Sequence, residues 1–379
     1  MTNTKWLSAL LAGTALTVAS TAAFADTSLI TMKRNLAGEG VTFSVSPTAD
    51  MPAAATEITV QGELRGLLTS TKADGSDRVN ALNTRARVVV KGKTDTSVGT
   101  VGAYVRFNQT NFSVAGDYDD LGTEDDTSDD IFTEANFVDA DKAYGYWEFA
   151  PGVTLTVGRN DSIASVVYGA DWNGTQLFGG AGAGLTNAAA GQASVAFTSG
   201  PVALTVGLEN SVVGPDLGVA ANATFSAGDF GAQLVGKSAK TEDTDIAAGD
   251  NAYAIGGGVG YSSGAFGLQV GAATGTGLAS EYVTVDTGDT TDDKFSAMSV
   301  LGTFNMTETT SLEAWYGTAT IEDVNATLVD RKVSGYGAGV FWNPVSQLRL
   351  GAGAGSRTLD AAGVETDTTV AGVGAWFKF

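Results

Sequence analysis

The chain has 379 residues, with 21 Lys and Arg against 42 Asp and Glu and a formal net charge of −21, which speaks against nucleic acid or an anionic lipid surface as partner. Cysteine and histidine are both absent, removing disulfides, thiol catalysis, Cys/His zinc sites and histidine acid–base chemistry. Glycine is abundant at 50 residues without a Gly-X-Y period, and 43% of residues are hydrophobic, so collagen and low-complexity disorder are excluded as well.

The first 25 residues combine a charged start containing Lys5, an apolar run from Trp6 to Ala19, and Ala23-Phe24-Ala25. This is the order of a secretory signal peptide, and a chain starting at Asp26 is expected after its removal. A membrane helix is the weaker reading, because the run is short and a small-residue cleavage site follows. No later stretch approaches the ~20 apolar residues a membrane helix needs. Without cysteine there is no lipobox, so the exported chain is either a secreted or periplasmic protein or a β-barrel. Residues 26–55 form a lead-in of uncertain structure. Val41 to Val45 could be a short strand, interrupted afterwards by Pro47 and Pro52.

From residue 56 to the end, two-sided segments alternate with turns. The segments fall at 57–69, 83–94, 98–108, 142–150, 153–160, 191–199, 201–211, 217–226, 229–238, 251–263, 264–275, 294–305, 309–320, 330–342, 346–357 and 367–379. Short Gly-, Pro-, Asp- and Ser-rich turns, such as Pro151-Gly152, Ala227-Gly228 and Pro344-Val345, alternate with longer loops. In 84–93, Ala86, Val88 and Val90 alternate with Arg85, Arg87, Lys91 and Lys93. In 101–107, Val101, Val105 and Phe107 alternate with Tyr104 and Arg106. A soluble sandwich alternates in the same way. The number of segments, the near absence of helix and the aromatics near segment ends (Tyr104, Trp147, Phe149, Trp342, Trp376) favour an all-β transmembrane antiparallel barrel of about 16 strands. The apolar face would then meet lipid, and the charged face would line a water-filled lumen.

Thr369 to Phe379 has period two, with Ala371, Val373, Ala375, Phe377 and Phe379 on one face. This ending is similar to the C-terminal strand of Gram-negative outer-membrane barrels. Arg85-Ala86-Arg87, Gly99-Thr100, Tyr104-Val105-Arg106, Tyr144-Gly145-Tyr146-Trp147-Glu148-Phe149 and Val157-Gly158-Arg159, in that order and spacing, resemble the opening of alphaproteobacterial general porins. Gly158-Arg159-Asn160 also resembles the end of the strand before the constriction loop of trimeric porins. The match covers about residues 57–180 and the last strand.

The resemblance implies that a long third outer loop, here Asp161 to Gly191, folds into the lumen. Asp161, Asp171 and Phe178 would lie on that constriction loop, and Arg65, Arg85, Arg87, Arg106 and Arg159 on the facing wall. Leu177 stands where such porins carry an acid. Arg159 shares a face with Leu155 and Val157, so it would point inward only through a bulge at Gly158. The resemblance further implies a homotrimer in the bacterial outer membrane, in contact with lipid and lipopolysaccharide, passing small hydrophilic solutes.

The stretch 117–141 is crowded with acids. Asp125, Asp126, Asp129 and Asp130 could hold Ca²⁺ or Mg²⁺, but EF-hand spacing is missing and a solvated acidic loop is the plainer reading. No cofactor is expected. Gly179 to Gly184 lacks the Lys-Ser/Thr and the strand-to-helix setting of a phosphate cradle. No catalytic constellation is present, so an enzyme is not expected. The leading expectation is a porin for passive diffusion of ions and small hydrophilic solutes. A substrate-selective porin for sugars or anions, with Tyr144 and Tyr146 as a sugar slide, and a secreted or surface all-β structural protein are the alternatives. The wall arginines argue for anions, while the acidic mouth argues, on balance, for weak cation selectivity.

Overall fold

In the computed structural model of the chain, the described residues are 30–34, 41–45, 56–110, 117–119, 131–133, 139–168, 189–211, 214–240, 251–283, 294–322 and 330–379. The expected signal peptide, residues 1–25, lies outside them.

Alternating side chains and short glycine turns produce long antiparallel strands. In chain order these are β1 (Ile30–Arg34), β2 (Val41–Val45), β3 (Thr56–Ala73), β4 (Val79–Thr96), β5 (Gly99–Thr110), β6 (Asp117–Asp119), β7 (Ile131–Thr133), β8 (Asp139–Ala150), β9 (Val153–Asp161) and β10 (Ala189–Ser199). There follow β11 (Val202–Ser211), β12 (Gly214–Ala227), β13 (Phe230–Lys240), β14 (Asn251–Ser263), β15 (Phe266–Thr276), one helical turn α1 (Ala279–Tyr282), β16 (Lys294–Asn305), β17 (Thr310–Glu322), β18 (Arg331–Val345), β19 (Leu348–Ala361) and β20 (Val364–Lys378). Each strand from β3 to β20, the separate β6–β7 pair aside, bonds the next, and β20 returns to β3. The result is a closed barrel of 16 strands. Closure satisfies the ladder that an open edge would leave unpaired.

The sixteen predicted segments correspond one to one with the barrel strands. Two details differ. Pro344 and Val345 belong to β18, beside an irregularity between Trp342 and Val345, and the turn lies one step later. The lead-in is partly ordered: β1 pairs β2, and Val41 to Val45 of β2 pair Val60 to Thr56 of β3.

The tight turns gather on one rim. Gly200, Gly228 and Gly264 take φ values of +57°, +56° and +54° there, a conformation that suits residues without a Cβ. The outer face is apolar. Val157, Leu234, Ile255 and Leu268 are half or more exposed, at 50–60%. Near the short-turn rim, aromatic pairs line this face, with ring centroids 5.2 Å apart for Trp147–Phe149, 6.3 Å for Phe225–Phe230 and 4.9 Å for Phe266–Phe304. The inner face carries the charges and, on β12 to β18, a run of small residues including Ala220, Ala252, Ala254 and Ala273. A soluble sandwich puts its apolar face inside; this sheet does the opposite.

Candidate functional site: the lumen wall and the loop root

The charged wall begins on β3. Register places Arg65 opposite Arg85 and Glu63 opposite Arg87, so both strands send every second side chain into the lumen. Glu63 Oε1 lies 2.7 Å from Arg65 Nε and accepts a 2.7 Å hydrogen bond from Arg85 Nη2. One carboxylate therefore holds two guanidinium groups. Among the described residues, Arg87 donates to a neutral acceptor, Asn108 Oδ1 at 3.0 Å. On β5, Arg106 grips Asp141 with two bonds, Nε to Oδ1 at 2.7 Å and Nη2 to Oδ2 at 2.6 Å. Such bidentate pairs are rigid as well as strong. Next on the wall, Lys142 contacts the Asp161 carboxylate.

On the other side of the closure, Arg349 donates to Glu313 Oε1 at 2.6 Å and lies 4.0 Å over the Phe341 ring. Trp376 lies between Arg349 and Arg65, whose guanidinium carbons are 5.8 Å and 6.0 Å from its ring. Phe341, Trp315, Val370 and Trp376 form a small inward-facing apolar cluster beneath these cations. The wall is thus a continuous cationic band from β19 through β20 and β3 to β8, partly balanced by acids.

Opposite this band, the chain leaving β9 turns inward. Ser162 to Val166 are buried, although they belong to a loop. Their anchor is a pair that the sequence reading did not single out. Glu209 of β11 and Lys237 of β13 are fully buried, with Nζ 3.0 Å from Oε1. Glu209 also accepts from Ser162 Oγ at 2.6 Å and from Ile163 N at 2.8 Å. Gln233 clamps the next residues, accepting from Val167 N and donating to Ser165 O, both at 2.9 Å. Tyr282 of α1 donates to Ala164 O at 3.1 Å. The loop root therefore lies across the inner face of β11 to β14.

Small residues on β14 make room for it. A Cβ at Gly258 would stand 2.5 Å from Tyr168 Cβ, and one at Gly256 would stand 2.8 Å from Val166 Cγ2. Gly258→Val should cost about 1–3 kcal/mol through overpacking, seen as a lower denaturant midpoint for the fast-migrating folded band on unheated gels. Gly66→Val is the control, because nothing lies within 4 Å of a Cβ added there, and its midpoint should not move.

Of the predicted wall residues, Arg65, Arg85, Arg87 and Arg106 come together on the inner face of three neighbouring strands. Arg159 does not join them. The β8–β9 and β9–β10 registers run unbroken through Gly158, so Arg159 stays on the outer face with Leu155 and Val157 and is exposed. Gly158 has φ +132°, but it inserts no bulge. Asp161 ends β9 against Lys142. Asp171 and Phe178 lie outside the described residues, as do the Ca²⁺/Mg²⁺ candidates Asp125, Asp126, Asp129 and Asp130. Among the described residues, no group of three or more His, Cys, Asp or Glu could hold a metal ion. Glu209 and Lys237 were hard to find because polar residues are the norm on a lumen face. Their one signal was a Lys and a Glu on strands whose other inward residues are mostly small.

The sequence matches no protein-family model and no curated protein. The fold has clear counterparts. The outer membrane channel DcaP of Acinetobacter baumannii superposes with a TM-score of 0.64 at 15% identity, covering 86% of this chain and 97% of that one. OmpF of Salmonella typhi, in complex with daunomycin, gives 0.58 at 15% identity over 86% and 98% of the two chains. An anion-selective porin from Comamonas acidovorans gives 0.56 at 13% identity over 86% and 100%. At these identities the likeness is one of fold.

Proposed function

We propose that this chain is an outer-membrane porin, a water-filled channel for passive diffusion of ions and small hydrophilic solutes. One observation carries the reading: a closed barrel of 16 strands whose apolar residues face outward while Arg, Lys and Glu face inward. In water such an outer surface would associate; in a bilayer it is solvated by lipid, with the aromatic pairs at the interface. A barrel of this strand number leaves an aqueous channel, and the inward loop root narrows it. No bond is made or broken. Discrimination rests on width and wall charge.

The finer parts of this reading are a homotrimer, membership of the alphaproteobacterial porins, and export to the outer membrane after signal-peptide removal near Ala25. Their support is the ordered motif resemblance and the leader-like first 25 residues. As to charge, the described wall favours anions: among the described residues Arg87 has no acidic partner, while Glu63 serves two arginines. The sequence-based lean towards cations rested on the net charge and on acidic outer loops that lie largely outside the described residues.

Detergent-purified, heat-modifiable protein in a planar bilayer should give discrete conductance steps, in threes for a trimer. Folded protein that leaves the bilayer silent would overturn the channel reading. Steps arriving singly would remove the trimer alone.

A further inference from the structure

Below the loop root the inner wall changes character. Thr156 of β9 faces Ser194 of β10, and Thr205 of β11 faces Asn222 of β12. With Asn160 and Gln192 they line a cavity of about 290 Å³, closed on one side by the loop root. That size sits at the lower end of small-molecule pockets, roughly 300–1,000 Å³. Among the described residues lining the cavity, the ionisable one is Asp161, whose carboxylate is already engaged by Lys142. The side chains of Thr156, Asn160 and Thr205 have no hydrogen-bond partner among the described residues. The hydroxyl of Ser165, also in the lining, is buried without a partner among the described residues.

The geometry points to a binding subsite for a neutral, polyhydroxylated solute of monosaccharide size; this rests on the porin reading and names a solute class for it. Hydroxyl and amide groups both donate and accept, which matches a sugar's own hydroxyls. A charged solute would be desolvated here without a counter-charge and is better served by the cationic band on β3 to β8. An apolar solute would leave the Thr and Asn groups unpaired.

The test is saturation-transfer NMR of D-glucose with the folded, detergent-solubilised protein, read beside KCl conductance of the same preparation. The glucose signal should saturate with concentration. It should fall at least tenfold in Thr156→Val/Thr205→Val, which keeps shape and removes two hydroxyls, and persist in Thr156→Ser/Thr205→Ser. Unheated gels confirm that both variants fold, and their KCl conductance should equal that of the parent. No glucose signal from the parent, or an equal signal from the valine variant, would overturn the subsite. Glucose binding needs no conduction, so loss of the KCl steps alone would strike the channel reading and leave the subsite standing.

Discussion

Glu209→Ala is expected to destabilise the loop root by about 3–5 kcal/mol, the usual cost of stripping one partner from a buried ion pair. Both members are fully buried, so water cannot replace the lost carboxylate. The substitution leaves the buried Lys237 ammonium without its counter-charge, held by neutral groups such as Asn210 O at 3.3 Å, and frees two donors of the loop root, Ser162 Oγ and Ile163 N. With its first residues unpinned, the loop should leave the wall and the pore should widen. Two readings check this: higher single-channel conductance with more flicker, and faster protease nicking between residues 162 and 168. A double variant, Glu209→Leu/Lys237→Met, separates the causes. It removes the uncompensated buried charge and should recover much of the barrel's denaturant resistance. Conductance should stay high, because nothing then accepts from Ser162 and Ile163. Parental conductance in Glu209→Ala would show that the Gln233 and Tyr282 contacts suffice to hold the loop root without this pair.

The second large effect concerns selectivity. On β3 to β9 the constriction wall carries Arg65, Arg85, Arg87, Arg106 and Lys142 against Glu63, Asp141 and Asp161, a surplus of two positive charges. Arg85→Ser/Arg87→Ser/Arg106→Ser turns the surplus into a deficit of one. A unit charge ~10 Å from a passing ion, at an effective dielectric near 20, is worth about 1.7 kcal/mol, and screening trims this to roughly 1 kcal/mol. The anion-to-cation permeability ratio should therefore drop about tenfold or more, and the reversal potential in a KCl gradient should change sign. Arg159→Ser, on the outer face, should leave that potential where it was. If the triple variant reads like the parent, the wall does not set selectivity.

The barrel was legible because two signals coincide in every strand: a period of two, and a tight turn at one end. The strand ends towards the long loops were less legible. β4 begins at Val79 and β19 ends at Ala361, several residues beyond the apolar alternation, because backbone pairing continues where side chains meet water on both faces. Arg65, Arg85, Arg87 and Arg106 could be placed inward by parity alone. Arg159 depended on a bulge, and whether a glycine breaks the register is decided by both neighbouring strands, which here run straight past it. The loop anchor was hidden for a different reason. Burial of Glu209 is a property of the loop that comes back over it, and strand periodicity carries no record of such a return.

One edge of β3 is used twice. β20 pairs Glu63 to Ala73, Phe379 exchanges backbone hydrogen bonds with Gly62, and β2 takes Thr56 to Val60. The last strand and the lead-in hairpin therefore stand end to end on one template. A slip of β20 by two residues would preserve every inside–outside assignment, so side-chain faces alone cannot forbid it. Towards the short-turn rim, however, that slip would bring Phe379 level with Val60, where Val41 already sits. The hairpin is a doorstop: it sets how far the closing strand can travel, and so fixes the stagger, and with it the tilt and bore, of the finished cylinder.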